Sequence, residues 1–292
     1  MRIVLFALLF FLLITSCSQH EEKVDAPKDE SSVKMHIGKM SELNSGYTSS
    51  MADWHRFLKC WSSSVEAVNQ STEEGTSFER DGARDVNLNN TAMNLQLIEK
   101  REASLKLKFP ASYRDFFAVT RGVWLVKSLG ASENVSFPSN FLNADEVGLF
   151  REVDKSNWES WHRAMGKERP PIVPPDIYYR YGYSENRSEK QDDAQFRWEY
   201  IENMIKVGEL EQGAVILLNP NEITQDGEWE AWLLSPKSGA NRYRSFAELM
   251  QILVYQSVKK SGKAFVPSDT LNSTCAKYLN TVATVPRLQF AN

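Results

Sequence analysis

The sequence predicts an α+β domain that follows an export signal and a flexible tether. Three observations support this prediction. Apolar residues recur at helical spacing from Trp54 onward, an aromatic helix is expected after Phe109-Pro110, and two short strands flank a turn at Asp226-Gly227 before a capped helix. With 42% apolar and 25% charged residues, the 292-residue chain has the composition of an ordinary globular protein.

The N-terminus has the three parts of a secretory signal. Arg2 precedes an apolar run over residues 3–14, and small residues then lead to Cys17. The run is shorter than the about 20 residues that a transmembrane helix needs. A cysteine at this place resembles the lipobox of bacterial lipoproteins, so we expect residues 1–16 to be removed and Cys17 to be acylated. The alternative is an uncleaved anchor in which Cys17 is an incidental thiol.

The residues after Cys17 predict where the protein is held. Ser18, rather than aspartate, follows the cysteine, which by resemblance to enterobacterial sorting favours the outer membrane, facing the periplasm. Residues 17–50 contain one aromatic, Tyr47, and are rich in Ser, Glu, Lys and Asp, so they are predicted to form a flexible tether. The domain is assigned to residues 51–262 and a C-terminal tail to residues 263–292.

Several classes of function are disfavoured by composition. The net charge of −4 argues against a nucleic-acid partner, because phosphate binding needs clustered Lys and Arg. The four histidines form no pair at ligand spacing, and no glycine-rich phosphate loop or nucleophile motif occurs. We therefore expect no metal and no cofactor. Cys60 and Cys275 could form a disulfide in an exported chain or remain two buried thiols, and the sequence leaves both open.

The first half of the domain is predicted to be mainly helical. Trp54, Phe57 and Leu58 begin an apolar face over residues 54–68, residues 69–90 lack periodicity, and a second helix covers residues 91–105. A third helix starts with Pro110 at its first position and should stop at a left-handed Gly122, before a strand over residues 123–126.

Shorter elements follow. The predicted series is a helical piece at 143–147, a strand at 147–153, a helix around Trp158 and Trp161, an extended run at 170–175, a strand at 177–183 and a helix at 195–206.

The last part of the domain has the clearest patterns. A strand over residues 214–218 is expected to stop at Asn219-Pro220, and the Asp226-Gly227 turn leads into a strand over residues 228–234. Alternation places Trp229, Ala231 and Leu233 on one face and Glu228, Glu230 and Trp232 on the other. A capping box at residues 245–248 starts a helix that ends near Lys260.

Two of these segments resemble the SMI1/KNR4 family, the founding group of the SUKH superfamily. The first is FP..Y..FF.....G over residues 109–122; the second, more specific, combines LLNP (217–220), DGEWEAW (226–232) and RYRSFAELM (242–250). Phe109, Arg121 and Val123 depart from the family pattern in the first segment. The resemblance covers about residues 93–259. It implies a mixed sheet flanked by helices and a binding role, because many bacterial members are immunity proteins against toxins.

Four residues were assigned to a partner-binding face: Asp226, Glu228, Glu230 and Trp232. Paired carboxylates near tryptophans could cleave glycans, but side chains at i and i+2 stand side by side, whereas a glycosidase places them across the scissile bond. Trp232 either packs against the helix of Phe246 or contacts a partner. We therefore expect a non-enzymatic module that binds a protein, most plausibly a toxin, with an envelope lipoprotein of structural or regulatory role as the alternative and a glycan-acting enzyme as the third candidate.

Overall fold

The protein is represented by a computed structural model that describes residues 39–60, 77–79, 91–121, 127–129, 138–164, 172–179, 181, 191–192, 194–210, 213–260 and 276–279. The predicted signal peptide, Cys17, Cys275 and the predicted strand at 123–126 lie outside these residues. Within them, no helix has both the length and the apolar character needed to cross a membrane.

The described strands are β1 (Ser77–Glu79), β2 (Lys127–Leu129), β3 (Pro138–Phe141), β4 (Gly148–Leu149), β5 (Ile205–Leu210), β6 (Val215–Ile223), β7 (Trp229–Ser235) and β8 (Gly239–Tyr243). The main sheet has the order β3-β5-β6-β7-β8, with β4 also paired to β5, and β1 pairs with β2 separately. Every one of these pairings is antiparallel. The α+β class is confirmed, although the sheet formed by these strands is antiparallel rather than mixed.

The described helices are α1 (residues 51–60), α2 (Thr91–Leu105), α3 (Ala111–Thr120), α4 (Phe150–Val153), α5 (Lys155–Ala164), α6 (Pro175–Tyr178) and α7 (Phe246–Lys260). Short 3-10 helices occur at Lys39–Glu42, Trp198–Asn203 and Ala276–Tyr278. The predicted helices at 91–105 and around Trp158 are confirmed, and the helix predicted over residues 54–68 is confirmed up to Cys60, beyond which its residues lie outside the described part. The capping box predicted at the start of α7 is confirmed in part. Glu248 N–H donates to Ser245 Oγ (3.1 Å), but the Glu248 carboxylate accepts the backbone N–H of Arg244 (2.7 Å) rather than that of Ser245.

The main sheet separates two apolar cores. The first core lies between the sheet and helices α1, α2, α3 and α7, and the second lies on the side of α4, α5 and α6. Alternation along β7 produces this division: Trp229 and Ala231 belong to the first core, whereas Trp232 and Leu234 belong to the second. The apolar face predicted for this strand is confirmed, because side chains at successive positions point to opposite faces.

Several predicted boundaries were wrong, for local backbone reasons. The predicted strand at 177–183 is wrong at its start, where residues 177 and 178 belong to α6: Pro175 begins this helix, because proline suits the first position of a helix. Residues 180, 182 and 183 lie outside the described residues. Pro220 does not end β6, which continues to Ile223 through a register shift that accommodates a residue without an N–H. Arg121, the residue directly after α3, is left-handed (φ 63°), so the helix ends one position before the predicted stop at Gly122, which lies outside the described residues.

Other differences concern short segments. Part of the predicted loop at 69–90 forms β1, the predicted strand at 147–153 is reduced to β4 followed by α4, and only Trp198–Asn203 of the predicted helix at 195–206 is helical, as a 3-10 helix. Cross-strand partners and tertiary contacts decide such short elements more than local pattern does.

The last residues assigned to the tether belong to the folded domain. In residues 39–47, here called the N-terminal segment, Met40 has no exposed surface and Leu43 O accepts a hydrogen bond from Gln225 N–H (2.8 Å). Tyr47 Oη donates to Asp115 (2.9 Å) and accepts from Trp54 Nε1 (2.7 Å). Isolated contacts of this kind leave no periodic pattern in the sequence, so the predicted boundary between tether and domain at residue 50 was placed too late in the chain.

Candidate functional site

The four residues predicted to contact a partner do not form one exposed face. Glu228 is 1% exposed, and Glu230 and Trp232 have no exposed surface. Asp226 is exposed, but its carboxylate accepts hydrogen bonds from the backbone (2.9 Å) and hydroxyl (2.5 Å) of Ser45. The expectation that Glu228 and Glu230 lie on a partner-binding face disagrees with their burial, because each carboxylate accepts hydrogen bonds from buried donors of its own.

Glu228 caps the start of α3. Its Oε1 accepts the backbone N–H of Ser112 (2.8 Å), and its Oε2 accepts the Ser112 hydroxyl. A carboxylate at this place satisfies an otherwise unpaired helix N–H and interacts favourably with the helix dipole. Burial raises the pKa of Glu228 to about 7, although the hydrogen bonds from Ser112 act in the opposite direction. Since β7 begins only at Trp229, Glu228 does not follow the alternation of the strand.

Glu230 lies on the other side of the sheet. Its oxygens accept hydrogen bonds from Tyr178 Oη (2.7 Å), Tyr181 Oη (2.6 Å) and Asn219 Nδ2 (2.8 Å). Arg242 Nη1 lies 3.7 Å from Glu230 Oε1 and supplies the opposite charge. Glu228 and Glu230 therefore bind separate groups of donors, and they do not form the paired carboxylates that the glycan-cleavage alternative required.

Glu222 is a second buried carboxylate in the same region, and the sequence reasoning missed it. Tyr200 Oη donates to its Oε1 (2.6 Å), Tyr179 Oη lies 3.0 and 3.1 Å from its two oxygens, and Arg197 Nη1 lies 3.4 Å away. Burial raises its pKa to about 7, and the charge of Glu230 adds to that effect, whereas its hydroxyl and guanidinium donors oppose it. The residue was overlooked because β6 was expected to end at Pro220.

These side chains form what we call the carboxylate–tyrosine cluster: Glu222, Glu230, Tyr178, Tyr179, Tyr181, Tyr200, Arg197 and Arg242. The ring of Tyr178 contacts both guanidinium groups, with its centroid 4.0 Å from Arg242 Cζ and 4.5 Å from Arg197 Cζ. Cation–π contacts of this type strengthen where water is excluded. Two guanidinium groups balance two carboxylates when both are ionised, so the cluster can remain buried without a large net charge.

The cluster also reaches the protein surface. Tyr179, Tyr181 and Tyr200 are half-buried, and each hydroxyl is held by a buried carboxylate. Arg197 Nε donates to Val173 O (3.3 Å). The residue before Val173, Ile172, is 68% exposed. Aromatic rings with fixed hydroxyls lose little further freedom on binding, and tyrosine is among the residue types that dominate interface energies.

Trp232 has a packing role in the fold. Its ring lies 5.7 Å from that of Phe196 in an edge-to-face contact within the second core. Phe246, against which packing was expected, lies in the first core. The packing alternative for Trp232 therefore agrees with its burial, but the partner is Phe196.

Other kinds of site find little support in the described part of the chain. Among the residues that the structure describes, no group of three or more His, Cys, Asp or Glu side chains is placed to hold a metal ion. The tyrosines at positions 178, 179 and 181 were the one sequence signal that could have located the cluster. They were predicted to lie on a strand, where successive side chains point to opposite faces, so their hydroxyls were not expected to bind neighbouring carboxylates.

Comparison with known proteins identifies the fold. A model of the SMI1 / KNR4 family (SUKH-1) matches residues 93–252, which is more than half of the chain and extends from α2 into α7. Neither curated proteins nor solved structures provide a match. The matched region contains Glu222, Glu230 and the aromatic residues around them, whereas the N-terminal segment and α1 precede it. The chain therefore belongs to the SMI1/KNR4 family (SUKH-1).

Proposed function

We propose that this protein is a membrane-tethered binding module of the immunity type, which neutralises a toxin by stoichiometric binding rather than by chemistry. The family includes immunity proteins, and family membership favours protein–protein interaction over catalysis. The observation that carries the proposal is the carboxylate–tyrosine cluster, whose half-buried tyrosines form rigid aromatic anchors at the surface.

The contact face is assigned to the surface around Tyr179, Tyr200 and Ile172. Ile172 is the most exposed large apolar side chain of the described residues, at 68%. Its neighbour Val173 accepts a hydrogen bond from Arg197, which in turn donates to Tyr200 Oη. An exposed apolar side chain next to such a group fits the composition of interface centres, where aromatic residues supply most of the binding energy. Glu222 holds both tyrosine hydroxyls and so fixes the orientation of the two rings.

The proposed location follows from the N-terminus. A lipid on Cys17 would hold the domain at the cell membrane, most plausibly at the outer membrane facing the periplasm, where a delivered toxin arrives. The residues between Cys17 and residue 39 would then form the tether. A chain of about 20 residues spans roughly 25 Å as a coil, which is enough to separate the domain from lipid headgroups.

Toxin candidates encoded beside the gene provide the functional test. We expect at least one to be toxic when exported alone and harmless when this protein is co-expressed. If no candidate is toxic, or if this protein protects against none of them, the immunity proposal fails and the alternative of a structural or regulatory envelope lipoprotein replaces it.

A pair of matched variants tests the contact face. Ile172→Asp should weaken binding of the neutralised toxin at least about tenfold, because it places a charge in the centre of an apolar contact. Met93→Asp is the control, since Met93 is also exposed (45%) but lies on α2, on the side of the first core. Equal binding losses in the two variants, or none in Ile172→Asp, would show that the partner binds elsewhere.

A further inference from the structure

The chain contains a covalent bond that its family membership does not imply. Cys60, the last described residue of α1, is disulfide-bonded, and its side chain packs against the first core. The sequence has only two other cysteines, Cys17 and Cys275, and both lie outside the described residues. The partner of Cys60 is therefore Cys17 or Cys275, and the choice is inferred from the described residues nearest to each in sequence and from the chemistry of Cys17.

The residues that directly follow Cys275 lie against the same part of the fold as Cys60. Tyr278 O accepts a hydrogen bond from Ser49 Oγ (2.7 Å), and the Tyr278 ring centroid is 5.4 Å from Arg56 Cζ, one turn before Cys60 on α1. Leu279 is 1% exposed within the first core. These contacts hold Tyr278, three residues after Cys275, beside α1. A disulfide needs Cα atoms within about 7 Å of each other, and a cysteine so near to Tyr278 in sequence can meet that requirement with Cys60.

Cys17 has a competing chemical fate. In the proposed lipoprotein its sulfur carries the lipid through a thioether, which has no S–H group to oxidise. Residues 17–38 are also assigned to the tether, whereas the turn Ala276–Tyr278 is packed on the domain. Both arguments favour Cys275 as the partner of Cys60.

We propose that Cys60 and Cys275 form a structural disulfide that joins the two segments flanking the family domain. Forming it releases two protons and two electrons from the thiols. The electrons pass to the reactive disulfide of a thiol oxidoreductase in the export compartment, which becomes a dithiol, through a mixed-disulfide intermediate. The disulfide proposal rests on the proposed location in the cell envelope, but it does not depend on the identity of any toxin.

The bond has a structural consequence for the whole domain. Residues 51–60 supply Trp54, Phe57 and Leu58 to the first core, and the C-terminal turn supplies Leu279, although all four lie outside the family match. The bond closes a loop of more than two hundred residues that contains the entire matched region. Because such bonds persist in oxidising compartments and not in the cytosol, the domain reaches its full stability only after export.

Peptide mapping of the exported protein tests the pairing directly. The protein is alkylated before digestion without reductant, and the expected product is a linked peptide pair containing Cys60 and Cys275, with neither residue alkylated. Cys17→Ser should leave that pair intact, whereas Cys275→Ser should make Cys60 alkylatable. A Cys60–Cys17 peptide, or an alkylated Cys60 in the wild-type protein, would overturn the proposal.

Thermal melts test the consequence on folded protein. A reductant should lower the midpoint of the wild type by at least about 5 °C and leave the midpoint of the Cys60→Ser, Cys275→Ser double variant unchanged. An equal shift in both proteins would mean that the reductant acts through another route and that the bond does not support the fold. If the wild-type protein contains the linked peptide pair but protects against no toxin, the proposed function is rejected and the disulfide is still supported.

Discussion

Glu228 and Glu230 are two residues apart, yet they stabilise different parts of the molecule. Glu228 caps α3 through Ser112, and Glu230 holds Tyr178 and Tyr181 on the other side of the sheet. A carboxylate that satisfies buried donors is costly to remove, because those donors lose their partners without gaining water. The role of an acidic residue in this fold is therefore set by its burial and not by its position in an acidic stretch.

The first prediction concerns Glu228. Glu228→Ala should lower the free energy of unfolding by about 2–4 kcal/mol, since it removes a helix cap and leaves the Ser112 donors unpaired. Asp226→Ala should cost only about 1 kcal/mol, because Asp226 is exposed. Denaturant melts of the two variants measure the difference, and a larger loss for Asp226→Ala would contradict the assigned cap.

The pH dependence of stability supplies the second prediction. Burial raises the pKa of Glu222 and of Glu228 to about 7 in the folded protein, above the usual value of an unfolded glutamate. The folded state therefore binds more protons between about pH 4.5 and 7, so the free energy of unfolding should fall as the pH rises through this window. Each group should contribute on the order of 1 kcal/mol per pH unit.

Glu222→Gln serves as the comparison for this effect. It removes one titrating group while keeping an acceptor for Tyr200, so urea melts across pH 4.5–7.5 should give a shallower slope than the wild type. A slope unchanged by the substitution would mean that Glu222 titrates normally in the fold.

At the scale of elements, the long periodic segments were predictable and the short ones were not. Helix α2 has the predicted bounds because a 15-residue helix carries its pattern over several turns. The prediction of a strand starting at residue 177 was wrong, because a composition rich in strand-forming residues describes side-chain preference, whereas Pro175 fixes the local backbone as the first turn of α6. The carboxylate–tyrosine cluster depends on that element and on the continuation of β6 past Pro220, so the tyrosine-rich stretch alone did not reveal which carboxylates its hydroxyls bind.

The N-terminal segment is an element that sequence patterns did not reveal, and its contribution can be measured. A protein beginning at Lys39 should melt at the same temperature as the full mature chain. A protein beginning at Thr48 should melt several degrees lower, because it lacks buried Met40 and the contact of Ser45 with Asp226. Equal midpoints for the two proteins would mean that residues 39–47 only rest on the surface.

At the scale of the whole molecule, the two faces of the sheet differ in chemistry. The first face packs against α1, α3 and α7 in an aromatic core. The second face carries a second apolar core and the carboxylate–tyrosine cluster, which includes the half-buried tyrosines. In the proposed function, this second face contributes to stability through its buried carboxylates and to binding through its tyrosines.

Membrane attachment is predicted to depend on a single atom, the sulfur of Cys17. Cys17→Ser should yield a protein that is neither lipidated nor recovered with membranes, because the lipid is added to the thiol at the cleavage site. Inhibition of lipoprotein signal peptidase should make the unprocessed wild-type chain accumulate. Unchanged electrophoretic mobility in both experiments would contradict the predicted lipoprotein signal.

Stoichiometric binding to a toxin can be measured by titrating toxin activity. The lipid-free domain is added in increasing amounts to a fixed amount of the cognate toxin. We expect toxin activity to fall linearly and to disappear at one domain per toxin, with the Ile172→Asp variant needing a large excess. Loss of toxin activity at amounts well below one domain per toxin would contradict it, because only a catalytic mode of action inactivates more toxin molecules than are bound.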